Sequence, residues 1–358
     1  MSSDTATSCR DHPSNAYWNN ATNQPDQSIA NAPVLPGFLI YTVAGAISSI
    51  FNIICILIFI TKKELREKYL LFAVLAFANL INTVFMFIAG TLRTHLIYNN
   101  QYMQLISTFE CLQYPTPHLQ LLGGQLPAVI LIAIDIERLL AVYRPVFYKV
   151  HIGYRARIYI VLFCFITVTI SQLFGYLSSY MNRDVCVNSF CAVLSAYGLK
   201  YSNYNSAVVI LLPVTALILN IFTYVGAKRL GQNANMKKEL KLVLVALIIT
   251  FLDVILIAFP NLIVFGSYNK LIVVASEVFA YLYVFFCCNS AINLFVYLAL
   301  KRDFRNHLLM SISFGALKPH LQMTNDVTMA RSTRAVAPQM SCSGIPTRSV
   351  PSFTRVAF

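Results

Sequence analysis

The sequence predicts an all-α fold, a bundle of seven transmembrane helices, and three observations support this prediction. Hydrophobic residues make up 57% of the chain and charged residues only 11%, and the mean hydropathy is +0.63. Soluble domains carry roughly 25% charged residues, so the composition excludes a soluble domain. In addition, seven apolar segments are each long enough to span a bilayer, and basic residues concentrate in alternate connecting segments.

Each predicted span meets the length of about 20 mostly apolar residues that a transmembrane helix requires. The third span is the weakest, because glutamines, prolines and a histidine crowd its first half, but Leu126–Ile136 is strongly apolar and runs into a basic loop. The predicted spans are Leu35–Ile60, Leu70–Ala89, Cys111–Ile136, Ile158–Ser178, Ala207–Gly226, Leu242–Phe265 and Leu271–Leu300. An odd number of spans places the two termini on opposite sides of the membrane.

The distribution of basic residues predicts the orientation. Of the 27 Lys and Arg residues, all but five lie in the loops on one side of the predicted membrane or in the C-terminal tail. The exceptions are Arg10, Arg93, Arg183, Lys200 and Lys270. Because short cytoplasmic loops are enriched in Lys and Arg, the basic side is predicted to be cytoplasmic and the N-terminus extracellular. The formal charge of +13 therefore indicates contact with anionic lipid head groups of the bilayer, not with nucleic acid.

Polar tails flank the predicted bundle, which is assigned to residues 35–309. Residues 1–34 have no apolar core near Met1, so they are predicted to be an extracellular tail and not a cleavable signal peptide. The triplet Asn20-Ala21-Thr22 is a glycosylation sequon, which fits an extracellular position, although such triplets also arise by chance. Residues 310–358 are rich in Ser and Thr and poor in apolar runs, so they are predicted to be a disordered cytoplasmic tail.

The end of the third span carries the triplet Glu137-Arg138-Leu139, followed by Pro145 and Tyr148. This string resembles the rhodopsin-like G-protein-coupled receptors, whose third helix ends in an acid-Arg-aromatic triplet before a loop with Pro and Tyr at this spacing. The resemblance implies a role in G-protein coupling for Glu137 and Arg138. An Arg beside an acid near the membrane face can be paired in one conformation and released in another. The alternative is an Arg that only follows the positive-inside rule.

The last span contains the string Asn289-Ser290-Ala-Ile-Asn293-Leu294-Phe-Val-Tyr297. The two Asn residues and the Tyr recur every four residues and so share one helix face. The string is similar to the helix-seven signature of the same receptors. The resemblance implies a switch role for Asn289, Ser290, Asn293 and Tyr297, and a short amphipathic eighth helix after them. Leu294 stands where the family usually has proline, so the usual deformation of the helix is not expected here.

Other positions mark the chain as a divergent member of this class. Asn79 stands where the receptors carry an Asp in helix two, which removes the carboxylate that would hold a sodium ion, so no metal site is predicted. The tryptophan that usually precedes the helix-six proline is absent near Pro260, and Trp18 is the only tryptophan of the chain. This divergence, together with the helix-three string, resembles the nematode serpentine chemoreceptors of the Srsx or Srx type.

Four cysteines lie on the predicted extracellular side: Cys9, Cys111, Cys186 and Cys191. They allow three fully paired connectivities, and free thiols are not expected in an oxidising compartment. The receptor family bridges the top of helix three to the second extracellular loop. The resemblance therefore implies a disulfide from Cys111 to Cys191 or to Cys186, with Cys191 slightly favoured.

The outer halves of helices three, six and seven carry the side chains expected around a ligand: Gln120, Gln125, Phe259, Asn261, Tyr281 and Tyr283. Gln120 occupies the position where amine receptors carry an Asp, so a protonated amine lacks its anchor. A neutral or weakly polar small molecule is therefore favoured over a peptide. For each aromatic residue, ordinary helix packing is the alternative.

One acid, Asp253, lies near the middle of the sixth span, where a charge is costly, so it is expected to face the interior of the bundle. One interpretation makes it a hydrogen-bonded strut to another helix, for example to Asn293. The other makes it a switch or a ligand contact. Asp135, one turn before Arg138, is expected to be a local partner of that Arg or of a loop.

These features predict a multi-pass G-protein-coupled receptor of the plasma membrane, chemosensory in role. An extracellular ligand would shift its conformational population and activate a heterotrimeric G protein. A neuropeptide receptor of the same fold and a transporter or channel are the alternatives, and a transporter would explain Asp253 and Asn79 as pathway residues. The sequence contains no nucleophile–base pair, phosphate-binding loop or metal-ligand cluster, so no enzymatic activity and no cofactor are predicted.

Overall fold

The computed structural model describes residues 33–61, 63–102, 105–230, 234–300 and 302–312. Asn20, Cys9 and the predicted tail beyond residue 312 lie outside these ranges. The described residues form seven long helices and one shorter helix near the end. They are α1 (Leu35–Thr61), α2 (Leu70–Tyr98), α3 (Pro115–Tyr143), α4 (Tyr154–Met181), α5 (Leu199–Leu230), α6 (Ala234–Asp253, Val254–Ala258 and Phe259–Tyr268), α7 (Ser276–Leu300) and α8 (Arg302–Ile312).

Short elements connect the long helices. Two strands, β1 (Leu105–Ser107) and β2 (Cys186–Asn188), pair antiparallel with Ile106 opposite Val187. The short helices are Lys63–Lys68, Thr108–Cys111, Pro145–His151 and Val193–Ala196. We call the end of the bundle that carries β1 and β2 the hairpin end, although the two strands are not consecutive, because α3 and α4 lie between them in the chain. The end where α3 finishes and Pro145–His151 follows is called the Glu137 end. The described residues up to Arg305 form one compact unit, and those from Asn306 onward belong to a second.

Among the described residues, six helices are long and apolar enough to cross a membrane. They are α1, α2, α4, α5, α6 from Leu240 onward, and α7. Helix α3 has 29 residues but does not meet this criterion, and it is the segment that the sequence marks as the weakest span. It packs against α2, α4, α5 and α6. A helix surrounded by other helices needs less apolar surface than one that faces lipid, which explains how the polar first half of α3 is accommodated.

Small residues allow the long helices to approach closely. A Cβ atom on Gly45 of α1 would lie 2.8 Å from the backbone nitrogen of Phe87 in α2. A Cβ atom on Gly123 of α3 would lie 2.7 Å from the Cα atom of Asn82, also in α2. Close backbone approach at small residues is the usual way in which membrane helices pack. These two contacts hold α2 between α1 and α3.

Several boundaries differ from the sequence-based prediction. Helix α3 begins at Pro115 and not at Cys111, because proline suits the first turn of a helix, where no backbone N–H is required. Helix α7 begins at Ser276 and not at Leu271, because the chain turns after α6 with Lys270 in the left-handed region at a φ of 59°. The two strands at the hairpin end were not predicted, since three-residue strands leave almost no periodic pattern in a sequence.

Helix α6 changes its geometry in the middle. Between Asp253 and Phe259, the residues Val254–Ala258 form a π-helical turn, and Pro260 follows at once. Proline lacks the backbone N–H that an α-helix uses, and π turns are frequent at functional sites of helices. A wider turn also rotates every later side chain relative to a regular helix, which matters for the residues described below.

Candidate functional site

A charged cluster lies at the Glu137 end, and its centre is one carboxylate. Oε1 of Glu137 accepts hydrogen bonds from Nη2 of Arg138 at 2.6 Å and from the hydroxyl of Tyr148 at 2.8 Å. The same oxygen accepts from Arg157 of α4, at 2.9 Å from Nη2 and 3.2 Å from Nε. Glu137 and Arg138 are 3% and 4% exposed. Two guanidinium groups and one phenol therefore share a single buried acid.

Arg157 also ties this cluster to the neighbouring loop. Its Nη1 donates to the backbone oxygen of Glu67 at 2.7 Å, and its Nη2 donates to the Tyr148 hydroxyl at 2.8 Å. Burial raises the pKa of Tyr148, so the phenol stays protonated and can donate to Glu137. The sequence indicated Arg157 only as one of many basic loop residues. Its role could not be read from spacing, because it lies twenty residues from Glu137 along the chain.

A second set of polar side chains lies inside the bundle. Nδ2 of Asn220 in α5 donates to Oδ1 of Asp135 at 2.7 Å and to the Thr250 hydroxyl of α6 at 3.2 Å. Nδ2 of Asn289 in α7 donates to Oδ1 of Asp253 at 2.5 Å. Asp135 bonds to another long helix, and it also interacts electrostatically with Arg138, one of the two local partners predicted from the sequence. Asp253 bonds to Asn289 and not to Asn293, so it does act as a strut, but one turn away from the expected partner.

Four residues of the helix-seven motif, Asn289, Ser290, Asn293 and Tyr297, are buried, each in a different setting. The backbone oxygen of Ser290 accepts a hydrogen bond from Nδ2 of Asn52 in α1 at 3.4 Å. Asn293 is 4% exposed. The ring of Tyr297 packs at 5.4 Å from the Phe59 ring and 5.6 Å from the Phe304 ring, between centroids. Its hydroxyl is buried and has no hydrogen-bond partner among the described residues.

A narrow, partly open cavity lies among α2, α3, α5, α6 and α7, and it brings together three of the residues predicted around a ligand. Gln120, Asn261 and Tyr283 line it, together with Asn82 and Asn205, which the sequence did not single out. Nε2 of Gln120 donates to the Tyr283 hydroxyl at 3.2 Å, and its Oε1 accepts from the backbone N–H of Val193 at 3.2 Å. One glutamine thus joins α3, α7 and the segment after β2.

The other three predicted ligand residues lie elsewhere. Gln125 is buried beside the cavity, and its Nε2 donates to Oδ1 of Asn205 at 2.9 Å. Phe259 and Tyr281 are 59% and 44% exposed on the outside of the bundle. Tyr281 and Tyr283 are two residues apart and cannot share a helix face. Phe259 directly follows the π turn. Because a π turn rotates the residues after it relative to a regular helix, a face predicted from regular α-helical spacing does not apply to Phe259.

The hairpin end is joined covalently to the start of α3. Cys111, in the short helix before α3, forms a disulfide with Cys191, which follows β2, and their Cα atoms are 5.5 Å apart. Both cysteines are fully buried. Of the two pairings that the sequence left open for Cys111, the structure has the one with Cys191. Cys186 is disulfide-bonded as well.

Residues 45–312 match the family model of the serpentine type 7TM GPCR chemoreceptor Srsx. The chain belongs to this family. The matched region runs from within α1 to the end of α8 and contains the Glu137 cluster, the interior polar contacts and the cavity. Among curated proteins, none matches the chain significantly.

Membership in the Srsx family confirms the resemblance drawn from the helix-three and helix-seven strings. The chain is therefore a serpentine receptor of the membrane, and its class is not an enzyme class. Among the described residues, no group of three or more His, Cys, Asp or Glu side chains is arranged to hold a metal ion.

Proposed function

We propose that this chain is a chemosensory receptor of the plasma membrane that transmits the binding of an extracellular small molecule to a heterotrimeric G protein. Its membership in a chemoreceptor family supports the sensory role. In this proposal α3 also crosses the membrane, which brings the number of spans from six to seven. The hairpin end faces outward, and α8 is the amphipathic eighth helix on the cytoplasmic face. The 29-residue length of α3 is ample for a bilayer that needs about 20 residues.

Two observations support the proposed orientation. Basic residues lie toward the Glu137 end, for example Lys149 in the short helix Pro145–His151 and Arg157 at the start of α4. Positive charge favours the cytoplasmic side. The Cys111–Cys191 disulfide lies at the hairpin end, and disulfides persist in oxidising compartments such as the exterior of the cell. The N-terminal tail is extracellular in this arrangement, where Asn20 would be available for glycosylation.

The observation that carries the proposal is the shared carboxylate of Glu137. It holds Arg138 and Arg157 together at the face that would meet a G protein. A ligand at the hairpin end that binds one bundle conformation better would shift the population toward it. In the shifted conformation Arg138 is released from Glu137, and Tyr297, whose hydroxyl has no partner among the described residues, reaches a new one.

The direct test is Arg138→Ala in cells that report G-protein activation. We expect coupling to be lost, because the released guanidinium is the group that contacts the G protein, while surface expression stays near the wild-type level. Arg155→Ala is the matched control, because Arg155 is an exposed basic residue at the same end with no part in the Glu137 cluster. Preserved coupling in Arg138→Ala would contradict the proposal.

A transporter or channel is the second candidate, and a specific observation favours it. Asp135 and Asp253 are both buried inside the bundle, and each has one carboxylate oxygen without a hydrogen-bond partner among the described residues. Acids at membrane depth often mark ion or proton pathways. A screen that measures both substrate flux and G-protein activation separates the candidates. Flux without any G-protein response would overturn the receptor proposal, and a response to added peptides alone would instead indicate a neuropeptide receptor.

A further inference from the structure

A buried arginine lies near the hairpin end, outside every motif discussed above. Arg93 belongs to α2, about one turn before that helix ends at Tyr98, and it is 4% exposed. Its Nη1 donates to the hydroxyl of Tyr41 in α1 at 3.0 Å. The sequence indicated Arg93 only as one of five basic residues away from the cytoplasmic side, and nothing in its spacing suggested burial.

Aromatic rings from three parts of the chain surround this guanidinium. Its Cζ atom lies 5.8 Å from the ring centroids of Phe38 in α1, Phe190 after β2 and Tyr283 in α7. Aromatic faces attract a cation because of their negative quadrupole. Tyr102 stacks on the Phe190 ring at 5.1 Å between centroids and covers the cluster. We call Arg93 and these rings the Arg93 cage.

The Arg93 cage contains a cation but no acid. In the part of the chain that the structure describes, no Asp or Glu forms an ion pair with Arg93, and its Nε atom is buried without a hydrogen-bond partner. A buried charge that lacks an opposite charge is costly, and phenol and ring contacts offset only part of that cost. The guanidinium has five N–H donors, and one hydrogen bond, to Tyr41, is satisfied. Counted over the described residues, the site therefore has an excess of donors and of positive charge.

The Arg93 cage adjoins the cavity through a shared residue. Tyr283 lines the cavity and receives a hydrogen bond from Gln120, while its ring is one wall of the cage. The cavity beyond it is lined by amide, aromatic and aliphatic side chains and by two glycines, and none of these described lining residues is charged. A molecule that enters the cavity and moves the Tyr283 ring would meet the donors of Arg93.

From this geometry we propose that Arg93 is the anchor for the ligand of this receptor and that the ligand is a small organic carboxylate. The proposal rests on the proposed function as a small-molecule receptor. A carboxylate matches the guanidinium because two parallel N–H···O bonds form at once. One cation suits a monoanion better than a doubly charged phosphate. The uncharged cavity favours an apolar or aromatic body.

This inference revises the ligand class expected from the sequence. Gln120 removes the anchor for a protonated amine, and this supported a neutral or weakly polar molecule. Arg93 adds direct repulsion of any cation and supplies a partner for an anion. Both residues exclude amines, but only the tertiary structure turns the preference from neutral to negatively charged ligands.

The proposal is tested with a panel of carboxylates, each paired with its methyl ester. Straight-chain acids from acetate to decanoate, with benzoate and phenylacetate, cover the range of sizes that the cavity could accept. Binding to the purified receptor is read as a shift in the midpoint of thermal unfolding, which needs no G protein. We expect at least one acid to stabilise the wild-type protein while its ester does not. Esters that stabilise as well as their acids, or a panel with no stabilising acid, would overturn the proposal.

Substitutions then assign the effect to Arg93. Arg93→Gln should weaken binding of the stabilising acid by roughly tenfold or more, the loss expected when a charge-assisted hydrogen bond is removed. Arg93→Lys keeps the charge without the planar fork and should give an intermediate loss. Arg183→Gln is the control: Arg183 also lies over an aromatic ring, that of Tyr180, but it is exposed and is not among the residues that line the cavity. Unchanged acid binding in Arg93→Gln would overturn the proposal.

Two further measurements complete the test. The first distinguishes a ligand anchor from a structural residue, and the second distinguishes failure of this inference from failure of the proposed function. Without ligand, Arg93→Gln should be at least as stable as wild type, because it removes an uncompensated buried charge. A large loss of stability would indicate a structural role and overturn the anchor. Acids that bind through Arg93 without activating a G protein would contradict the proposed function alone. Activation by a neutral compound that is unaffected in Arg93→Gln would contradict this inference alone.

Discussion

The two ends of the bundle both bury arginine, but they compensate its charge differently. At the Glu137 end, two guanidinium groups and a phenol converge on one carboxylate oxygen. At the hairpin end, Arg93 has a phenol and three aromatic rings around it, and no acid among the described residues. A compensated cluster holds one conformation and breaks when that conformation changes. The described residues supply no acid to Arg93, so an anionic ligand could serve as its partner.

This difference suggests a division of labour along the receptor. In our proposals, the hairpin end receives the charge of a ligand, and the Glu137 end releases Arg138. The interior contacts Asp253–Asn289 and Asp135–Asn220 lie between them. They connect α3, α5, α6 and α7, which together with α2 also line the cavity. A shift at one end can therefore reach the other through elements that are packed together.

Removing the shared acid is the strongest test of this difference between the two ends. Glu137→Gln leaves Arg138 and Arg157 buried beside a neutral amide, so we expect a stability loss of about 3–5 kcal/mol, the cost of breaking a buried ion pair. We also expect G-protein activation without ligand, because Arg138 then loses the carboxylate to which it donates. The measurements are the midpoint of thermal unfolding in detergent and basal activation in cells.

Glu67→Gln is the matched control for this variant. The Glu67 side chain is 45% exposed and lies 4.0 Å from Lys63, a surface pair of the kind that contributes little. Its removal should change neither stability nor basal activity. An unchanged basal activity in Glu137→Gln would mean that the charged cluster does not restrain the receptor.

The second prediction concerns Arg157, which distinguishes this cluster from a simple pair of adjacent residues. Arg157→Ala removes the hydrogen bonds that α4 donates to Glu137 and to the Glu67 backbone, so we expect a loss of about 1.5–3 kcal/mol. Basal activation should rise less than in Glu137→Gln, because Arg138 keeps its acid. Arg155→Ala changes the same loop charge without touching the cluster. Equal basal activity in the two variants would show that Arg157 is only a topology signal.

The smallest expected effect belongs to the phenol. Tyr148→Phe removes the hydrogen bond to Glu137 and the one accepted from Arg157, and leaves both ion pairs intact, so we expect a loss of about 1–2 kcal/mol. Burial raises the pKa of Tyr148, and the hydroxyl therefore donates at every physiological pH. The effect of the substitution should not vary between pH 6 and pH 8, both of which lie well below the usual tyrosine pKa of about 10. A marked pH dependence would point to a different titrating group.

The sequence indicated the helices and their connections well where the signal is local. Apolar length marks six spans, and α3 is recognisable as the weakest because its polar residues are visible in the chain. The strings around Arg138 and Tyr297 indicated the family, which the match over residues 45–312 confirms. Three of the predicted ligand residues do line one cavity.

What failed depends on geometry that no local pattern encodes. Phe259 is exposed directly after the π turn in α6, a turn that the sequence did not predict. The partner of Asp253 differs by one turn from the expected one because helix register is decided between helices and not within them.

The sequence by itself determined the class of this protein, since composition, span length and short ordered strings reflect the membrane and the family directly. Only the tertiary structure decided which charges are compensated. Arg93, Arg157 and Glu137 are far apart in the chain, and whether each charge is compensated depends on its neighbours in space. Burial strengthens the effect of these neighbours, because electrostatic interactions are weaker in water than in a medium of low dielectric constant.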